Sequence, residues 1–457
     1  MLNILGGFLS LQYIYPIIVS WSFLMRFIKK HTVDFTEELK SKILFWSQQF
    51  DEVAWLDSNM ESNLQNQSKY KAILAVDAFT AIKTDHHQAF EKLEEYQSKT
   101  KDWLFGYLTY DLKNDVERLK SNNFDGLHFP DLYFFQPKKI FLFSDNEVEI
   151  KYLNFVDDEL EPDWQEILNQ EVITYDPLDK SPAKIHLRTS KDSYFSKLAK
   201  IIEHIHRGDI YEANFCQEFY SENTEIDTVK TFIHLNDISK PPFATYLKLG
   251  ELYSLSASPE RYISKNGNTI ISQPIKGTAK RHPNKIEDEK LKLQLEKDPK
   301  ERSENIMITD LVRNDLSKFA KKGSVKVEEL CKVYSFAQVH QMISTITCQV
   351  EDAISPVSII KETFPMGSMT GAPKISAMNI IEEFEDAKRG LYSGAVGYFT
   401  PEGDFDFNVI IRSILYSLKN KYVSFSVGGA ITAKSIPEKE YEECLIKAKA
   451  MREALEN

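Results

Sequence analysis

The chain reads as an α+β fold. Strands and helices recur along all 457 residues, yet without the strict strand-helix alternation that builds a parallel sheet. The stretch 139–155 adds an antiparallel hairpin, with alternating apolar residues on both sides of an S-D-N turn.

Taken in order, the apolar residues Leu39, Ile43, Leu44 and Trp46 fall at helical spacing between Phe35 and Phe50. V-A-W-L-D-S at 53–58 reads as a strand entering a turn, and 70–82 and 103–110 as further strands. The hairpin follows. A polar, proline-containing stretch at 174–184 sets a soft boundary between an N-terminal region, 25–180, and a second region, 185–457. Beyond it, Phe195, Leu198, Ile201, Ile202 and Ile205 recur at three- and four-residue steps and predict a helix over Lys191–Arg207. Residues 285–306 read as one long charged helix and 375–384 as a shorter apolar one. Strands at 393–400 and 405–416 pair across P-E-G-D, 421–427 is another strand, and a helix over about 437–455 closes the chain. No internal repeat is visible.

With 42% hydrophobic and 27% charged residues the chain suits a globular enzyme. Its net charge of -12 repels phosphate backbones, which argues against a nucleic-acid partner. An anionic substrate would need local cations. Cys216, Cys331, Cys348 and Cys444 form no C-x-x-C pair and have no histidine cluster beside them, so neither a disulfide framework nor a thiolate metal site is expected. A reduced, cytoplasmic setting is the simplest reading. Residues 2–25 carry no charge, and Arg26, Lys29 and Lys30 follow. The length suits a membrane span, but Gln12, Pro16, two tyrosines and several serines make it a poor one. No basic residue precedes it, against a signal peptide. Translation from Met25 is the favoured reading of this 1–24 leader, and a membrane role is not expected for the rest.

Several residues carry possible chemistry. Glu301 and Glu304 share one face of a helix, as do Glu440 and Glu443. Two such faces brought together would offer the all-oxygen ligands that Mg²⁺ takes; each pair alone is a solvated surface. Lys447, four residues after Glu443, is either a helix ion pair worth roughly 0.3–0.5 kcal/mol or an ammonium for a substrate carboxylate. Lys276 lies between Ile275 and Gly277 at an apolar strand end. Desolvation there would lower its pKa and free a nucleophilic amine. Gly277 and Thr278 could offer an N–H and a hydroxyl to an anion. The small-residue stretch 363–374 precedes a helix N-terminus, a place for a carboxylate, but lacks the spacing of a phosphate loop. V-G-G-A-I at 427–431 lets backbone approach a ligand. Arg412, in an apolar strand, needs an anionic partner if buried. Glu260 would be a general acid if burial raised its pKa.

The order and wording of these segments resemble the chorismate-utilising enzymes, which include anthranilate, aminodeoxychorismate, isochorismate and salicylate synthases. The blocks that carry the resemblance are S-A-S-P-E-R-Y, P-I-K-G-T, E-R-S-E-N-I-M-I-T-D-L-V-R-N-D-L, H-Q-M-I-S-T-I, G-S-M-T-G-A-P-K, S-G-A-V-G-Y, V-I-I-R-S-I and P-E-K-E-Y-E-E-C-L-I-K-A. They span roughly the last 270 residues; 35–180 resembles the aminating members more weakly. The resemblance implies an anthranilate-synthase-like fold, two orthogonal antiparallel β-sheets flanked by helices with the site between them. It implies Glu304 and Glu443 as Mg²⁺ ligands with Glu301 and Glu440 beside them. Thr278, Gly277, Tyr392, Arg412, Gly428 and Lys447 become substrate contacts, Glu260 the acid that protonates the departing C4 hydroxyl, and His340 a neighbour of the substrate ring.

Two positions discriminate within the family. Where anthranilate, isochorismate and salicylate synthases usually carry alanine, this chain has Lys276, which resembles the aminodeoxychorismate synthase branch. There the lysine attacks C2 of chorismate as the C4 hydroxyl leaves, and ammonia then attacks C4 and expels it. At 212 the water-activating members carry lysine and the aminating members usually glutamine; Glu212 departs from both. No glutaminase signature is visible, so the resemblance implies ammonia from a separate glutaminase subunit. V-A-W-L-D-S lies where anthranilate enzymes have a tryptophan feedback site, which leaves a tryptophan pocket and a purely structural role both open. The alternatives are anthranilate synthase component I, which Lys276 disfavours, and a non-catalytic chorismate-binding or regulatory subunit, which the full set of acidic and basic residues disfavours.

Overall fold

The computed structural model describes residues 25–59, 69–171, 182–336 and 339–456. The 1–24 leader and most of the 174–184 stretch lie outside the described residues. Among the described residues no helix is long and apolar enough to cross a membrane.

The fold is α+β, with strands paired antiparallel in two blocks. The first runs Arg26–Thr32, Glu147–Leu153, Leu132–Phe143, Ala72–Thr84, Glu52–Asp57, Phe243–Leu249, Leu252–Ser258, Ser413–Ser417, Tyr422–Ile431 and Glu212–Ser221. The second continues from Leu132–Phe143 through Leu104–Leu108, Ala395–Phe399, Phe405–Val409, Arg261–Asn266 and Thr269–Gln273 to Val339–Gln349. The last strand also carries Ile275–Lys280 and Lys326–Ser335. Strands from both sides of the 174–184 stretch pair with each other, Glu52–Asp57 with Phe243–Leu249 and Leu104–Leu108 with Ala395–Phe399.

Two long strands, Ala72–Thr84 and Leu132–Phe143, belong to both blocks. Their register shifts between Ala78 and Thr80. Asp77 there has φ of 63°, and Pro137 on the opposite strand has no N–H to donate. A bulge of this kind bends a strand pair and sharpens its twist. Period-two alternation divides the side chains, with Ile73 and Ala75 in one core and Leu74 and Val76 in the other. The second core also holds Trp46, Ile201, Phe215 and Met451 from the flanking helices and the first block.

Local chemistry sets the helix ends. Ser190 caps Lys191–Arg207 by accepting from the Ser193 N–H, and Gly208 at φ 86° closes it. The expected single helix over 285–306 is two, Lys285–Lys297 and Pro299–Ser317. Asp298 accepts from the N–H groups of Lys300 and Glu301, and Pro299 fits a first turn but not a helix interior. The expected strand over 405–416 is also broken. It ends at Val409 and resumes at Ser413, with Arg412 at φ 51° between.

That break is one of two corners where the chain crosses between blocks. The other joins Ser258 to Arg261 and holds Glu260. The corners bind each other: the Val409 N–H donates to the Glu260 carbonyl at 3.0 Å, and the Ala257 N–H to the Arg412 carbonyl at 3.1 Å.

A buried ion pair secures the region behind them. Arg389 donates to Glu385 at 2.6 and 2.9 Å, to the Met369 carbonyl at 2.6 Å and to the Asn214 carbonyl at 2.6 Å. Removing one member of such a pair leaves a charge without compensation. Arg389→Met is therefore expected to lower unfolding free energy by about 3–5 kcal/mol, measured by urea denaturation.

Candidate functional site

The two corners and strands of both blocks bring Glu260, Arg412, Lys276 and Glu212 around one polar space, close enough for their charges to act on one another. Glu260 stands in its wall, 4% exposed. Burial pushes its carboxyl up to about 7, against a hydrogen bond from Ser368 and the charges of Lys276 and Arg412. The sequence reading made an acid role conditional on burial raising this carboxyl, and burial does raise it. Arg412 is held by the second corner; burial lowers its pKa and Glu260 opposes that.

Lys276 lies on Ile275–Lys280, where the register against Val339–Gln349 shifts between Ile275 and Thr278. Gly277, at φ 96°, makes that irregularity possible, and a Cβ there would lie 3.2 Å from the Glu301 carboxylate. Asn305 fixes the bulge by donating to the Lys276 carbonyl at 3.4 Å and the Met342 carbonyl at 3.1 Å. The lysine's side chain is 12% exposed, and its Nζ lies 3.3 Å from Glu212 Oε1. The expectation of a lowered lysine pKa is overturned. Burial lowers it, but Glu212, Glu304 and Glu260 together raise it above the usual lysine value. Lys276 rests as an ammonium.

The two glutamate pairs are brought together from different helices. Glu301 and Glu304 ride on Pro299–Ser317, which packs on Ile275–Lys280 and Val339–Gln349. Glu440 and Glu443 ride on Pro437–Glu456, against Tyr422–Ile431. Lys300 sits between the pairs, 3.8 Å from Glu304 and 3.5 Å from Glu440. A Cβ at Gly429 would lie 3.4 Å from a Glu443 oxygen and 3.5 Å from a Glu440 oxygen. Burial is the main cause that lifts the Glu304 carboxyl to about 7. Its Oε1 is buried and accepts no hydrogen bond. Among the described residues no three carboxylates, imidazoles or thiolates converge closely enough to enclose an ion as they stand. The donor set is nonetheless all carboxylate, with a buried oxygen lacking a donor, and that fits a hard divalent cation such as Mg²⁺.

Other expected contacts divide. Lys447 makes the helix ion pair, with Glu443 at 2.7 Å, and also donates to the Gly428 carbonyl at 2.8 Å. A side chain at Gly428 would meet the Phe215 carbonyl at 2.4 Å and Cys216 Sγ at 2.5 Å, so close strand packing requires glycine here. Tyr392 is buried and its hydroxyl faces that same Cys216 sulfur at 3.4 Å. Thr278 is exposed. His340 is buried with both ring nitrogens partnered: its Nε2 pairs with Asp288 at 3.0 Å and its Nδ1 with the Ser335 hydroxyl at 2.8 Å. Asp57, in the strand with a feedback-site likeness, is paired with Lys40 at 2.8 Å and accepts from the Asn59 N–H. Sequence reasoning missed Lys300, Ser368, Asn305 and Arg389. Lys300 and Arg389 had a signal, their i,i+4 spacing from Glu304 and Glu385; Ser368 and Asn305 act through partners distant in sequence.

Glu260 generates a stability test. Its carboxyl titrates near 4.5 unfolded and near 7 folded, so the folded state binds more protons between those values and stability falls as pH rises through them. Glu260→Gln removes that cost. The variant is expected to exceed wild type by about 3 kcal/mol above neutrality and to show no such gain near pH 4, measured from urea midpoints at both pH values.

Comparison with known proteins agrees with this geometry. A family model described as chorismate binding enzyme matches residues 42–453. An anthranilate synthase component I-like protein of Synechocystis is 34% identical over 78% of this chain and 72% of its own length. Aminodeoxychorismate synthase component 1 of Escherichia coli is 38% identical over 58% of either chain, so the match spans little more than half of that relative. The fold is similar to the crystal structure of anthranilate synthase component I from Streptococcus pneumoniae, with TM-score 0.74 and 24% identity over 83% of this chain and 91% of that one.

Proposed function

The chain belongs to the family of chorismate binding enzymes, and from that premise we propose that it aminates chorismate at C4 to give 4-amino-4-deoxychorismate. The observation that carries this reading is Lys276, an amine set into the same enclosed space as the buried acid Glu260. Chorismate and its aminated product are both anions, and Arg412 and Lys447 are the cations available to their carboxylates.

The chemistry asks three things of the chain. Lys276 attacks C2 while the double bond shifts and the C4–O bond breaks. Glu260, protonated up to about neutrality, gives its proton to the departing hydroxyl. Ammonia then attacks C4, the double bond returns, and Lys276 leaves. Glu304 and Glu443, with Glu301 and Glu440 beside them, would hold Mg²⁺. When bound, the metal supplies a Lewis acid for a substrate carboxylate. The ten side chains named around the space are Glu212, Glu260, Glu301, Glu304, Glu440 and Glu443 against Lys276, Lys300, Lys447 and Arg412. With Glu260 protonated, five carboxylates face four cations, and a divalent ion would offset the remaining negative charge.

The designation of the Escherichia coli relative as component 1 supports a separate glutaminase subunit as the ammonia source. Four free, buried cysteines support a cytoplasmic setting. Elimination to anthranilate is the second reading, favoured by the Synechocystis relative's name and opposed by Lys276.

Product analysis separates the two. Purified protein with chorismate, MgCl₂ and an ammonium salt is expected to yield an amine that retains its enolpyruvyl group, identified by chromatography and mass spectrometry; anthranilate would overturn the assignment. Lys276→Ala should cost at least about 10²-fold in amination rate, and undiminished amination at low ammonia would remove it as nucleophile. Glu443→Gln should weaken Mg²⁺ dependence and activity together, read from a metal titration of the rate.

A further inference from the structure

A lysine that must act as a nucleophile yet rests as an ammonium needs somewhere for its proton to go. Among the described residues Lys276 has one ion-pair acceptor in contact, Glu212 Oε1 at 3.3 Å. Glu212 opens the strand Glu212–Ser221, paired with Tyr422–Ile431 on one side and with Gly371–Ala372 on the other. Its side chain is 1% exposed, and its other oxygen, Oε2, is buried with no hydrogen-bond donor. The remaining charged groups around Lys276 do not compete for the role. Glu260 already holds the proton destined for the leaving hydroxyl, Glu304 acts on Lys276 by charge alone, with no ion pair between them, and is assigned to the metal, and Arg412 is a cation.

We propose that Glu212 is the general base that takes the Lys276 proton as the amine attacks, and returns it when the amine is expelled. This rests on the amination reading above. In the first displacement one N–H bond of Lys276 breaks and an O–H bond forms on Glu212. The Nζ–C2 bond forms, the ring double bond moves, and the C4–O bond breaks with the Glu260 proton to release water. The site then holds a secondary ammonium, a neutral Glu212 and an ionised Glu260. Ammonia adds at C4 and Lys276 departs as a neutral amine. Glu212 returns the proton to it, and Glu260 is reprotonated by ammonium or solvent. The lysine proton never leaves the pair, so its ionisation does not set the pH at which the enzyme works. Glutamine at this position could not accept a proton, and a lysine beside it would have to lose its own to solvent.

The test compares wild type with Glu212→Gln and Glu212→Asp, with initial rates expressed against free ammonia from about pH 6.5 to about pH 9. Ratios cancel titrations common to both proteins, Glu260 included. The ratio of wild type to Glu212→Gln is expected to be about 10² near neutrality and to fall about tenfold per pH unit as solvent takes over the deprotonation. Glu212→Asp retains an acceptor and serves as the folding control; its ratio stays level with pH although the rate is lower. Acetic anhydride labelling of Lys276, read by peptide mass spectrometry without substrate, should be about tenfold faster or more in Glu212→Gln near neutrality. A level ratio for Glu212→Gln, a sloping one for Glu212→Asp, or unchanged labelling would each overturn the proposal. Undiminished amination by Lys276→Ala would instead overturn the nucleophile reading and leave the labelling result standing.

Discussion

Buried carboxylates must be balanced where they lie, and much of this structure follows from that constraint. An isolated ionised carboxylate in a low-dielectric interior is strongly disfavoured. Here two helices and the edges of two strand blocks carry six glutamates into one space. Lys276, Lys300, Lys447 and Arg412 reach the same space and hold them there. Burial still outweighs the cations at Glu260 and Glu304, whose carboxyls are both lifted to about 7. The divalent cation and anionic substrate of the proposed function would complement that arrangement. The overall charge of -12 therefore does not decide what binds.

The fold serves this balance through its bend. The long strands cross between blocks at Asp77 and Pro137, and the chain crosses again at the Glu260 and Arg412 corners. Because those corners exchange backbone hydrogen bonds, acid and guanidinium are positioned by main chain rather than by flexible side-chain contacts. Arg389 anchors the loop at Met369 and the strand at Asn214 from behind, so the walls of the site are tied to the core.

Much of this was legible in the sequence, for reasons that differ by residue. Helices such as Lys191–Arg207 and the hairpin at Ser144–Asn146 follow from local periodicity and turn chemistry. The helix break at Pro299 was legible too, from Asp298 and proline side by side, but charge continuity over 285–306 concealed it. The break at Arg412 was not: an apolar run through 405–416 reads as one strand, and only the crossing between blocks forces φ 51° on it. Glu301, Glu304, Glu440 and Glu443 announce themselves by spacing, whereas their meeting depends on tertiary packing. The sign of the Lys276 shift was misjudged for the same reason. Its apolar neighbours are local and suggest desolvation, while the three carboxylates that outweigh burial come from distant segments. His340 shows the converse, a residue with family resemblance whose ring is occupied by Asp288 and Ser335.

The central claim is that Lys276 becomes covalently attached to the substrate ring. Rapid quenching of the protein with chorismate and MgCl₂ in the absence of ammonia, followed by peptide mass spectrometry, tests it most directly. The account predicts a transient adduct on the Lys276 peptide, with the mass of chorismate less water, which disappears when ammonia is added. Product formation on addition of ammonia with no adduct at Lys276, or with the adduct on another residue, would contradict it.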